Sequence, residues 1–285
     1  MSKVLIAGKF RINLSRPLLM GVVNVTSDSF SDGGRYLSAD EAIAQAWHLI
    51  EAGAALIDVG GESSRPGSEG VGARDEIARI RPVVYALRDA NVPVSIDTVK
   101  VEVMQAALDV GATMINDINA LQAPGAVEAI AKSDAAVCLM HMKGTPRTMQ
   151  VAPQYEDVVD EVKAFLLDRA NVAKAAGIPS ERIVLDPGFG FGKSVEHNLD
   201  LLRRLGEIAE LGFPVLAGLS RKSMLGVITG KSVEDRLHAS IAAAMLAAQR
   251  GAAILRVHDV AATRDALAIL NAVLHMPGSP GEASL

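Results

Sequence analysis

Short runs of apolar residues recur along this chain, separated by stretches in which apolar positions return every three or four residues. The first pattern reads as strands covered on both faces, the second as helices with one apolar side. Strands are predicted over Leu18–Val25, Ala55–Val59, Val92–Ile96, Thr113–Asn116, Ala135–Met140, Ile183–Leu185, Val215–Ala217 and Ala253–Val257. Ser38 with Glu41 makes a capping-box pattern before a helix over Ala39–Ala52 that stops at Gly53. Ser194 caps another helix, in which Val195, Leu199, Leu202 and Leu205 keep helical spacing. Ser232 with Asp235 resembles a third box, ahead of an alanine-rich helix ending near Gly251.

Eight strands alternating with about eight helices predict an α/β fold, a closed (β/α)8 TIM barrel, in one domain over residues 1–285. The barrel itself runs from about residue 17 to about residue 275. An open doubly wound sheet is the alternative, because alternation alone does not prove closure. Val4–Leu14, with a Gly8-Lys9 turn, reads as a β-hairpin covering the barrel bottom. The tail over residues 276–285 is expected to fray.

Composition narrows the function. Aromatic residues are only 4% of the chain while hydrophobic residues are 49%, a mix that suits layered α/β packing. A net charge of −5 argues against a nucleic-acid partner, whose phosphates demand a basic surface. The single cysteine, Cys138, excludes a disulfide framework and reads as a small buried hydrophobe. No apolar run approaches the roughly 18–20 residues a membrane helix needs, and no signal pattern is visible, so a cytoplasmic protein is expected.

Candidate chemistry gathers where strands end, the active face of such barrels. The segment Asp186-Pro187-Gly188-Phe189-Gly190-Phe191-Gly192-Lys193 places an acid at a strand end and a glycine-rich loop after it. Asp97 and Asn116 stand at two other strand ends. Three short polar side chains thus aim at one space, suited to a polar heterocycle. Asn24 offers an uncharged oxygen for a hard cation, or else caps a turn. Gly60–Gly67 carries Ser64, Arg65 and Pro66, and an arginine there can grip an anion. Ser220, Arg221, Lys222 and Ser223 make an anion-facing corner at a helix start. Period-two alternation puts Arg256 and His258 on one side, where they can bind and protonate a leaving phosphate; a structural ion pair is the competing role for Arg256. His141 lies within reach with no role fixed. The charged stretch Arg74–Arg88 reads as a solvated helix face.

Taken in order, Asn24–Gly34, Gly60–Gly67, Ser95–Thr98, Ile115–Asp117, Asp186–Lys193, Ser220–Ser223 and Arg256–Val260 resemble the dihydropteroate synthase family. Two departures are Ser27 and Ser64, where that family usually has proline and threonine. The resemblance implies a homodimeric barrel that condenses dihydropterin diphosphate with 4-aminobenzoate, giving dihydropteroate and diphosphate. It implies that Asp97, Asn116, Asp186 and Lys222 hold the pterin, and that Asn24 meets Mg2+. Ser64, Arg256 and His258 would hold the diphosphate, while Arg65, Pro66, Ser220 and Lys222 would shape the aminobenzoate site. Met140, Phe191 and Gly218 are expected among the substrate contacts, and sulfonamides are expected to compete with aminobenzoate. A folate–corrinoid methyltransferase on the same barrel and an inactive pterin-binding paralogue are the alternatives. The cation set Arg65, Lys222, Arg256 and His258 counts against the first.

Overall fold

The computed structural model describes residues 4–25, 38–63, 70–144, 149 and 153–274. A hairpin of β1 (Val4–Ala7) and β2 (Phe10–Asn13) comes first. Eight strands follow: β3 (Leu18–Asn24), β4 (Leu56–Gly60), β5 (Val94–Asp97), β6 (Met114–Asp117), β7 (Ala136–Met140), β8 (Ile183–Asp186), β9 (Val215–Ala217) and β10 (Ala252–Val257). Each pairs in parallel with its neighbour, and β10 pairs with β3, so the sheet closes into a barrel. The alternative of an open sheet is thereby excluded.

Among the described residues ten helices accompany them: α1 (Ala39–Glu51), α2 (Ala73–Leu87), α3 (Val101–Asp109), α4 (Ala126–Ala131), α5 (Val158–Ala175), α6 (Val195–Arg203), α7 (Leu205–Ala209), α8 (Ser223–Thr229), α9 (Leu237–Gln249) and α10 (Val260–Leu274). The connections after β8 and after β9 each hold two helices, which accounts for ten where eight were expected. Ser38 and Ser194 form the capping boxes that start α1 and α6. The third box does not form. The Ser232 hydroxyl bonds the Asp235 carboxylate at 3.0 Å instead, and α9 starts only at Leu237.

The pleat sorts side chains between two cores. Residues such as Val23, Ile57, Val59, Ile96, Val137, Leu139 and Leu185 point outward and pack under the helices. Met20, Leu56, Met114, Ala136, Val184, Leu216 and Ile254 fill the barrel, joined by Leu5 and Ala7 of the hairpin, which plugs the bottom. One step further up several strands, two residues on, the inward positions turn polar: Asp58, Asn116 and Arg256. A dry base and a polar upper layer follow from the same alternation. The predicted solvated face on α2 needs a correction, since Glu76 within it is fully buried.

Candidate active site

A cavity of about 510 Å³ opens at the C-terminal ends of the strands. That volume suits a small two-part ligand. Asn24 reaches it from β3, Asp97 from β5, Asn116 from β6, Met140 from β7 and Asp186 from β8. Phe191 lines it from the loop after β8. Gly218, Ser220 and Lys222 enter from the loop after β9, and Arg256 and His258 from the end of β10. These sequence candidates therefore share one cavity. Ser64, Arg65 and Pro66, and the departure at Ser27, lie outside the described residues.

A charge network runs from the cavity wall into the barrel beneath it. The Arg256 guanidinium donates from Nε to Asp58 Oδ2 at 2.6 Å and from Nη2 to Asp97 Oδ2 at 3.0 Å. Asn116 Nδ2 donates to the same Asp58 oxygen at 3.0 Å. Asp58 is fully buried, and its Oδ1, with Ser95 Oγ and Asn116 Oδ1, has no hydrogen-bond partner among the described residues. Burial pushes the Asp97 carboxyl up to about 7; Arg256 opposes the shift and Asp58 adds to it. Burial likewise pushes Asp186 up to about 6, against the hydrogen bond from Gly188 N at 2.7 Å and the charge of Lys222. Burial also works against the Arg256 charge, but Asp58 and Asp97 overcome it and its proton is held more tightly.

The corner after β9 is built on one strained residue. Arg221 has φ +58°, a left-handed backbone that costs a non-glycine residue about 1–3 kcal/mol. Four bonds fix it: its N–H to Ser240 Oγ at 2.9 Å, its guanidinium to both Asp259 oxygens at 2.8 and 3.2 Å, and its carbonyl from Arg236 at 3.1 Å. The turn sends its neighbours toward the cavity. Ser220 Oγ lies 3.0 Å from His258 Nδ1, and Lys222 Nζ sits 4.1 Å from the centre of the Phe191 ring, a cation–π distance. Of the two cations predicted to face an anion here, Arg221 is committed to Asp259. His141 is buried, facing the Phe165 ring edge-on and the Lys193 amine rather than the cavity.

Sequence reasoning missed Asp58, Glu62, Glu76 and Lys100. Lys100 Nζ bridges the Glu62 and Glu76 carboxylates, and Glu62 also accepts Val71 N–H at 2.8 Å. Glu62 thus ties together the two described ends of the segment after β4. Asp58 was detectable: it stands in an otherwise apolar strand, two residues before Gly60, on the alternation that pairs Arg256 with His258.

The raised Asp186 carboxyl carries a definite sign. Its folded-state value lies above the unfolded one, so ionisation weakens the fold over the window from 3.8 to about 6 and the penalty persists above it. Asp186→Asn removes that penalty. The unliganded variant is expected to gain about 1–2 kcal/mol on the parent protein between pH 5 and pH 8, read by urea denaturation at both values. A stability difference that does not change with pH would contradict this.

The chain matches the family model described as pterin binding enzyme over residues 20–258. It is 50% identical to the dihydropteroate synthase of Haemophilus influenzae over 262 residues, covering 92% of this chain and 95% of that one. A solved Xanthomonas albilineans dihydropteroate synthase with 4-aminobenzoic acid superposes with a TM-score of 0.91 at 50% identity, covering 97% of this chain and 100% of that one. The Burkholderia cenocepacia enzyme complexed with 7,8-dihydropteroate gives 0.87 at 48% identity, covering 95% and 96%. With nearly full coverage on both sides, the chain belongs to the pterin binding enzyme family, among its dihydropteroate synthases.

Proposed function

We propose that Asp186, Asn116 and Asp97 clasp the pterin ring, while Lys222, Arg256 and His258 face the departing diphosphate. The activity is that of a transferase: the (7,8-dihydropterin-6-yl)methyl group passes from its diphosphate to 4-aminobenzoate. One observation carries the assignment of residues. Asp97, Asn116 and Asp186, from three different strands, meet in one cavity with Lys222, Arg256 and His258.

The chemistry suits that arrangement. A pterin presents a flat edge of N–H donors, and an ionised carboxylate such as Asp186 accepts two of them side by side. Asn116 both donates and accepts. Breaking the methylene C–O bond sends its electron pair to diphosphate, where Lys222 offsets the growing charge, and Arg256, which is ion-paired with Asp58 and Asp97, adds the N–H groups those pairs leave over. Positive charge spreads from the methylene into the ring, and the nearby Asp97 carboxylate favours it. The aminobenzoate nitrogen then forms the new C–N bond and sheds a proton. That nitrogen becomes strongly acidic once bonded, so no strong base is required. Asp97, balanced near neutrality, can serve as acceptor or donor during these steps.

Ser64, Arg65 and Pro66 are assigned to the aminobenzoate and diphosphate side, with Met140, Phe191, Gly218 and Ser220 as cavity walls. Asn24 supplies one neutral oxygen at the cavity edge. Among the described residues no group of three or more His, Cys, Asp or Glu could hold a metal ion. The donor set therefore fits an ion shared with the diphosphate rather than one caged by protein. Mg2+ held there would neutralise charge on the leaving group. The reducing cytoplasm suits a chain whose one cysteine is free and buried.

A homodimer is supported by apolar side chains left exposed on α8, α9 and α10. Val227, Ile228, Leu246, Ile269 and Val273 are each at least two-fifths exposed, and α9 packs against both other helices. Such a surface fits a second copy.

Three measurements test this reading. Arg256→Ala is expected to lower kcat/KM by about a hundredfold, or roughly 3 kcal/mol, in an assay for dihydropteroate and free diphosphate; near-normal turnover removes Arg256 from the mechanism. In the same assay, a chelator should stop turnover and excess Mg2+ restore it; turnover indifferent to both would discard the metal. Sedimentation should give twice the chain mass of 29.9 kDa, and a single-chain mass at micromolar concentration would exclude the dimer.

A further inference from the structure

Lys193 ends the glycine-rich segment after β8, and no step above uses it. It is 3% exposed and lies behind the cavity wall rather than on it. Its ammonium donates to the carbonyls of Gly188 and Phe191, each at 3.0 Å. It also lies 2.9 Å from His141 Nδ1 and 3.3 Å from the His141 carbonyl. Burial, with the Lys193 charge adding to it, lowers His141 to about 3, so its ring is neutral and Nδ1 can accept. One buried amine thus joins the end of β7 to two points on the loop after β8.

The loop needs such an anchor. Gly188, Gly190 and Gly192 have φ of +69°, +80° and +65°. A side chain at Gly188 would place its Cβ 1.9 Å from the His141 carbonyl oxygen, and one at Gly192 would place it 2.3 Å from that of Lys143. Glycine permits this close approach but does nothing to impose it. The opposite side of the same arc presents Phe191 to Lys222. Other groups hold single points: Gly190 N–H donates to Asn198 Oδ1 and the Tyr155 hydroxyl to the Gly192 carbonyl, both at 2.7 Å.

We propose that Lys193 is a positioning residue: by gathering the His141, Gly188 and Phe191 carbonyls on one buried amine, it fixes the glycine arc, and through it Phe191 and Lys222, in the shape that receives the pterin. Burying a cation is unfavourable, and burial lowers Lys193 to about 7 against the pull of Asp186. An apolar side chain of similar length would fill the space without that cost. What it could not do is hold the backbone carbonyls.

The inference rests on the synthase reading of the cavity. Lys193→Met keeps the stem and removes the donors. Well below its melting temperature, the variant is expected to raise KM for dihydropterin diphosphate about tenfold or more and to lower kcat, with KM for 4-aminobenzoate changing by less than about threefold. An unchanged pterin KM, or an equal rise in both, would overturn the role. Backbone hydrogen exchange on the unliganded parent protein and variant is a second measurement, and its parent arm survives any folding failure of the variant. The Gly190 and Phe191 amides should exchange slowly in the parent protein and at least about tenfold faster in Lys193→Met; equal protection in the two, or exchange at free-peptide rates in the parent, would overturn the role. Absence of turnover in the parent protein would sink the synthase reading instead, and hydrogen exchange would still decide the fate of Lys193.

Discussion

Asp58 and Asp97 can share the interior of one barrel because the Arg256 guanidinium lies between them. Two carboxylates at close quarters in a poorly polarisable interior repel, and each loses hydration on burial. Arg256 meets both through separate nitrogens, and Asn116 adds a donor to Asp58. The compensation is incomplete. Asp97 and Asp186 still bind protons more readily than exposed acids, and Asp58 Oδ1, Ser95 Oγ and Asn116 Oδ1 keep unused acceptor capacity. Asp97, Asn116 and Asp186 line the cavity itself, and acceptors of that kind suit a flat ring edged with N–H donors.

The walls meet a different requirement. The glycine arc after β8 and the left-handed Arg221 turn after β9 are both backbone shapes with little intrinsic preference for themselves. Each is held from behind by buried or half-buried polar groups: Lys193, Asn198 and Tyr155 for the first, Ser240, Asp259 and Arg236 for the second. Phe191 and Lys222 meet where the two walls converge. Their contact thus lies between two walls that are each braced from behind.

Much of this was legible in the amino-acid sequence, because the barrel rule turns strand order into site position. Every predicted strand is present, and no end differs by more than two residues. Strand-end acids and amides were readable because a polar residue directly after an apolar run, as at Asp97, Asn116 and Asp186, marks where a strand leaves the core. Asp58 was passed over because it stands inside its strand rather than at its end, and only the two-residue alternation separates it from the buried core. Glu76 hid for the opposite reason. It sits among charges at helical spacing, and nothing local shows that its partner Lys100 arrives from the next βα unit. The Ser232 pattern failed because a serine three residues before an acid caps a helix only when a helix starts there. Lys193 looked like the last letter of a loop motif, and its burial depends on how the loop folds back over His141.

The β10–β3 pairing has a consequence for how such a chain is made. Everything through Gly251 leaves the ribosome before the strand that closes the ring, so β3 keeps an open edge in the meantime. Arg256 travels on that last strand, and until it docks the two acids on β4 and β5 lack the guanidinium that pairs with both. Sealing the edge and neutralising the acids are thus one and the same docking event. A nascent chain stalled before residue 252 holds neither a finished ring nor a usable cavity.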